Sequence, residues 1–279
     1  MDSRIGIEAE GARLSGRLIR PEGEARAAVV IHAATGVPQG YYRAFAEWLA
    51  VHEQVAVLTY DYRDFGASAQ AHPRASRATM ADWGVRDQAA AQATVQAAVP
   101  GVPIWIIGHS LGGLMLSFQP GAAQVDRLIA VASGPNHVSH HPLWYRPLAL
   151  SFWHGHGAAA ARMAGYLPGR RIGLGADLPL GVFRQWRRWC NSPGFFRSDI
   201  GHGLPAPDWT AFRGDLRLVA LSDDVMIPPP TVWALADFYP AARRLTQVTL
   251  TPRDHGLRRV GHIGAFARKN AALWPHLIG

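Results

Sequence analysis

The chain of 279 residues contains one cysteine, Cys190, and one lysine, Lys269. A single thiol makes no internal disulfide, which fits a reducing compartment. Cys190 shares a face with Trp186 and Trp189. Nothing nearby resembles a thiolate-activating arrangement, so it reads as a buried structural thiol. The scarcity of lysine changes the meaning of the net charge of +8. The positive charge rests on arginines scattered along the chain, which argues for a compositional bias of the source and against a nucleic-acid partner. Also missing is any uninterrupted apolar run of the ~18 residues that cross a bilayer. The first residues, MDSRIGIEAEGARLSG, carry acidic side chains and lack the apolar centre of a signal peptide. A cytoplasmic protein with no membrane partner is expected. Carboxylates are absent between Asp126 and Asp177. The histidine-rich patch of His137, His140, His141, His154 and His156 therefore lacks the groups that often complete a metal site, and neither metal nor cofactor is expected.

What is present describes a folded chain: 48% apolar and 17% charged residues supply a sizeable core. Residues 5–8 and 13–20 alternate apolar and polar about Gly11, the pattern of an antiparallel hairpin at a sheet edge. Residues 27–31, 55–60, 104–107, 125–132, 216–221 and 245–250 read as further strands, several of them continuous apolar runs suited to burial on both faces. Helical spacing occupies 41–51, and the capping box Thr79-Met80-Ala81-Asp82 opens a helix reaching about Val99. Shorter helices are expected after residue 110, over 231–238 and over 263–274. This alternation predicts an α/β fold with a mostly parallel eight-stranded sheet covered by helices on both faces. From 135 to 213 the alternation breaks. Val182, Trp186, Trp189 and Cys190 recur at helical spacing with Arg184, Arg187 and Arg188 turned away. The expected organisation is a core of 1–134 and 214–279 with a helical lid inserted over 135–213.

The chemistry centres on residues 103–117, PIWIIGHSLGGLMLS. An apolar strand runs into Gly108-His109-Ser110-Leu111-Gly112, so a strained turn between glycines presents the Ser110 hydroxyl. A serine hydroxyl needs a base within reach. His262, between Gly261 and Gly264, is the favoured candidate, and His255 in Asp254-His255-Gly256 is its rival. A carboxylate must hold that base, and Asp223 and Asp224 both end a strand. Asp224, with Pro228 four residues on, is favoured. The order Ser110, Asp224, His262 is the one this type of elbow uses.

These motifs, with His32-Ala33, Asp61-Tyr62-Arg63, Gly66 and Ser68, make residues 27–68, 103–134 and 216–266 resemble the serine-dependent α/β-hydrolases. ATGVPQGYYRAFAEWLA, LPLGVFRQWRRWC and GHIGAFAR further resemble a bacterial subgroup of predicted α/β-hydrolases without a settled reaction. The sequence departs from the family at Ala33 and Asp64, where glycine is usual. The resemblance implies an oxyanion held by the amides of Leu111 and Ala34, with Thr35 as the fallback. His109, Thr35, Trp144, Trp186 and Trp189 are expected to bind substrate, the tryptophans favouring a hydrophobic or aryl group. The expected function is a carboxylesterase acting on a small-molecule ester through an acyl-enzyme. A thioesterase, a peptidase or a ligand-binding member without turnover remains open, as does a homodimer. Epoxide hydrolase and haloalkane dehalogenase chemistry is disfavoured, because those members carry a carboxylate where Ser110 stands.

Overall fold

The computed structural model describes residues 1–172 and 175–279; positions 173 and 174 fall inside the expected lid. Eight strands form one sheet in the order β1-β2-β4-β3-β5-β6-β9-β10. They are β1 (Asp2–Ala9), β2 (Ala12–Ile19), β3 (Ala28–His32), β4 (Ala56–Tyr60), β5 (Ile104–His109), β6 (Arg127–Val131), β9 (Asp215–Leu221) and β10 (Arg244–Leu250). β1 pairs with β2, and β2 with β4, antiparallel; every other pairing is parallel. All five residues of β3 and of β4 are buried, as continuous apolar runs between two helical layers require. The parallel strands β3, β5, β6 and β9 all end on one edge, so the loops that follow them meet there.

Around the sheet lie α1 (Arg43–His52) and α2 (Gln88–Ala98). Reciprocal bonds between Thr79 and Asp82 open the helical run that leads into α2. Asp64, where glycine is usual, takes φ +57°, a conformation a short polar side chain tolerates.

Three expected helices differ. After Ser110 the chain makes only 3₁₀ turns, Ser110–Gly113 and Leu116–Phe118. Two adjacent glycines weaken helix propagation there, and Pro120 stops it. The 231–238 segment divides into α6 (Pro229–Trp233) and a 3₁₀ turn over Ala234–Phe238. The closing segment becomes 3₁₀ turns over Gly264–Phe266 and Arg268–Leu273, then α7 (Trp274–Ile278). Asn270 breaks that segment, because its Nδ2 donates to the Gly264 carbonyl 2.9 Å away and its backbone leaves helical angles.

Between β6 and β9, residues 135–213 contain α3 (Arg146–His154), α4 (His156–Ala164) and α5 (Leu180–Cys190). A two-residue antiparallel pair, β7 (Tyr166–Leu167) with β8 (Leu178–Pro179), was not expected. On α5, Val182, Trp189 and Cys190 are buried and Arg184 and Arg188 exposed, as the helical spacing predicts. Among the described residues no helix is long and apolar enough to cross a membrane.

Candidate active site

Ser110 sits at the end of β5 with φ +53°, in the left-handed region that non-glycine residues enter only when the surroundings compel it. Two glycines make the turn possible. A Cβ at Gly108 would run into the Gly112 backbone, and one at Gly112 into the His32 carbonyl. Ser133, just beyond β6, donates from Oγ to the Ser110 carbonyl at 2.7 Å and secures the turn from the neighbouring strand.

The two aspartates after β9 have different partners. Asp223 accepts from the amides of Val260 and Gly261, at 2.8 and 3.0 Å, and so fixes the loop that carries His262. Asp224 faces the histidine itself, its Oδ2 lying 2.8 Å from His262 Nδ1. Its other oxygen accepts from the amides of Met226 and Ile227. An ionised carboxylate only accepts, so Nδ1 carries the proton and Nε2 is left with a lone pair. That Nε2 lies 3.1 Å from Ser110 Oγ. The structure thus brings Ser110, His262 and Asp224 into one hydrogen-bonded line. His255, the rival, is away from it, packed against His276.

The loop after β3 departs from expectation. The Ala34 amide, expected to face an oxyanion, donates instead to the Tyr42 hydroxyl at 2.9 Å. Tyr42 in turn lies 2.8 Å from His109 Nδ1, and His109 Nε2 lies 3.0 Å from the His262 carbonyl. A carbonyl only accepts, so Nε2 carries the His109 proton and Nδ1 accepts from Tyr42. Burial holds the His109 pKa down to about 3, consistent with a neutral ring. His109 is therefore behind the site wall, supporting the His262 loop, and is not among the residues lining the cavity. Thr35 and Leu111 do line it beside Ser110. Tyr42 was missed in the sequence, where it is one more apolar position of a helix.

The cavity above Ser110 has a volume of about 270 Å³. Its floor is formed by Ser110 and His262 from the core, and much of its wall by Phe152, Trp153, Trp186 and Phe195 from the 135–213 segment. Of the three tryptophans expected to bind substrate, Trp186 lines the cavity. Trp189 is fully buried, its indole donating to Asp199 at 2.7 Å, and Trp144 is 71% exposed outside. The amphipathic pattern that singled out Trp189 reports burial, and here that burial is within the segment's own core. Cys190 also borders the cavity; burial pushes its thiol well above the ordinary range, which keeps it inert. Asn136, His141, Tyr145, Met226 and Ile227 line the cavity too, and the sequence offered no periodic signal for them. No group of three or more His, Cys, Asp or Glu among the described residues could hold a metal ion.

A mostly parallel sheet with an antiparallel edge, a strained serine turn after the fifth strand, and an aspartate and a histidine on later loops are the marks of an α/β-hydrolase. Residues 28–272 match the model of the alpha/beta hydrolase family, and the chain belongs to that family. Solved structures extend the likeness in fold. A serine hydrolase without a lid from Xanthomonas campestris superposes with a TM-score of 0.55 at 13% identity, over 99% of this chain and 93% of its own. An esterase from Pyrococcus furiosus gives 0.57 at 15%, over 99% and 88%. A thermophilic esterase from Thermogutta terrifontis gives 0.53 at 19%, over 99% and 98%. No curated protein sequence matches the chain.

Proposed function

We propose that the protein is a serine hydrolase that cleaves carboxylic esters of small hydrophobic or aryl compounds. The observation that carries this reading is the line from Ser110 Oγ to His262 to Asp224, with spacings of 3.1 and 2.8 Å, at the floor of a largely apolar cavity. His262 Nε2 takes the hydroxyl proton as Ser110 Oγ bonds to the ester carbonyl carbon. The tetrahedral oxyanion is held by the amides of Leu111 and Thr35, and Asp224 stabilises the imidazolium. Collapse breaks the bond to the alkoxy oxygen, which leaves as the alcohol with the proton from His262. A water, deprotonated by the same nitrogen, then attacks the acyl-Ser110 ester, releasing the carboxylic acid and restoring the hydroxyl.

In this reading residues 135–213 act as a lid on a core of 1–134 and 214–279, because they supply the aromatic wall and leave the reacting groups to the core. The test is a p-nitrophenyl ester series of graded chain length against wild type and Ser110→Ala. Turnover in the variant should fall by roughly 10⁴-fold or more, with the melting temperature nearly unchanged. Undiminished turnover would rule Ser110 out as the nucleophile.

A further inference from the structure

Residues 135–213 carry nine arginines and three aspartates, yet none of these lines the cavity that the segment helps to enclose. Among the lining residues described there is no Arg, Lys, Asp or Glu. A charged substituent would lose its hydration there and gain no counter-ion, so the occupant is uncharged.

One wall is nevertheless polar. His141 lies in the loop between β6 and α3, is almost fully buried, and lines the cavity. Its Nδ1 is 3.1 Å from the Val225 carbonyl, in the loop that carries Asp224. A carbonyl only accepts, so Nδ1 carries the proton, and in the neutral ring Nε2 is an acceptor. Burial lowers the pKa of this histidine and thereby favours the neutral form. No described residue donates to that Nε2. Tyr145 packs edge-on against His141, with ring centroids 5.2 Å apart, and lines the same wall. Burial raises its pKa, so the phenol keeps its proton as a donor. No described residue accepts it. Beside them, Asn136 Oδ1 is buried without a partner.

An unused acceptor and an unused donor side by side match a group that both donates and accepts. A hydroxyl does this, whereas an ether, a fluorine or a methyl does not. We propose that His141 and Tyr145 form a hydroxyl-binding subsite, and that the substrate is an uncharged ester whose apolar body carries a hydroxyl group. This rests on the serine-hydrolase reading for the word ester, but the subsite itself can be read without turnover.

The experiment has two arms. In the first, kcat/KM is measured for ethyl hexanoate, ethyl 2-, 3- and 6-hydroxyhexanoate and hexanoate monoesters of short diols, each hydroxyl compound paired with its fluoro counterpart. At least one hydroxyl compound should exceed both its fluoro and hydrogen counterparts by about tenfold or more, since a site built to bond a hydroxyl penalises its loss. That ratio should fall below about twofold in Tyr145→Phe and in His141→Asn, whose Nδ2 can keep the bond to Val225 while its Oδ1, on a shorter side chain, does not reach the position of Nε2. In the second arm, Ser110→Ala is titrated calorimetrically with hexanamide and the matching hydroxyhexanamides, and the hydroxylated amides should bind about tenfold more tightly. Equal affinity in that arm, or a hydroxyl preference that survives both substitutions, overturns the subsite. Failure of every ester together with a preserved binding preference would count against the hydrolase reading and leave the subsite standing.

Discussion

The sheet and the 135–213 segment bury their surfaces by different means. In the sheet, β3 and β4 bury mostly aliphatic side chains, and the loops after them are held by side chains such as the Tyr42 hydroxyl and the Asp61 carboxylate. The segment packs large rings against one another: Trp153 meets Phe183 and Trp186, and Trp189 meets Phe195 and Phe196. It also leaves Leu143, Trp144, Leu148 and Met163 exposed. Ser110, Asp224 and His262 all lie on loops of the sheet, while much of the cavity wall belongs to the segment. On the proposed function, chemistry and selectivity fall to parts built differently, and substitutions should separate them.

The largest effect falls in the core loops. Asp224→Asn removes the acceptor that fixes the His262 tautomer, and kcat should drop by about 10⁴-fold. Asp223→Asn keeps one acceptor for the amides of residues 260 and 261, and its loss should be about tenfold. Steady-state kinetics of the two variants decide between these neighbouring carboxylates. A larger loss at Asp223 would reverse their roles.

The next effect concerns pH and stability. Burial holds His32 and His109 to pKa values of about 3, whereas unfolded histidines titrate near ~6.5. With the folded value depressed, the unfolded chain takes up protons first as pH falls. Stability is therefore full above about pH 6.5 and declines below it by up to about 1.4 kcal/mol per pH unit for each histidine. Chemical denaturation between pH 7.5 and 4.5 should show this decline. His137, His154 and His156 in the segment are not fully buried, so their substitution by Gln should leave the slope in place. A slope that disappears with them would place the sensitivity in the segment.

The smallest effect separates two tryptophans of the segment. Trp186→Ala opens the cavity wall and should raise KM for an aryl ester about tenfold with kcat nearly kept. Trp144→Ala, outside the cavity, should leave both constants within about twofold. Equal effects from the two would contradict the cavity assignment.

The sheet announces itself in the sequence by continuous apolar runs, and the serine turn by its glycines. Asp224 and His262 could be placed by order along the chain and by the glycines and proline beside them. The Ala34 amide could not, since its direction depends on Tyr42, a helix residue whose hydroxyl reaches back to the loop. Nor could Trp189 be told from Trp186. Neighbours on the same helix, they separate only when Asp199 claims one indole. His141 and Tyr145 lie in a stretch without periodicity, and their roles depend on where the chain after β6 meets the Asp224 loop.

The proposed function stands or falls with Ser110 as the nucleophile. Labelling the wild-type protein with a fluorophosphonate, followed by peptide mass mapping, tests it directly. With Ser110 as the nucleophile, one adduct is expected, on Ser110, strongly reduced in His262→Ala. An adduct on another residue, or none on Ser110 in folded protein, would contradict it.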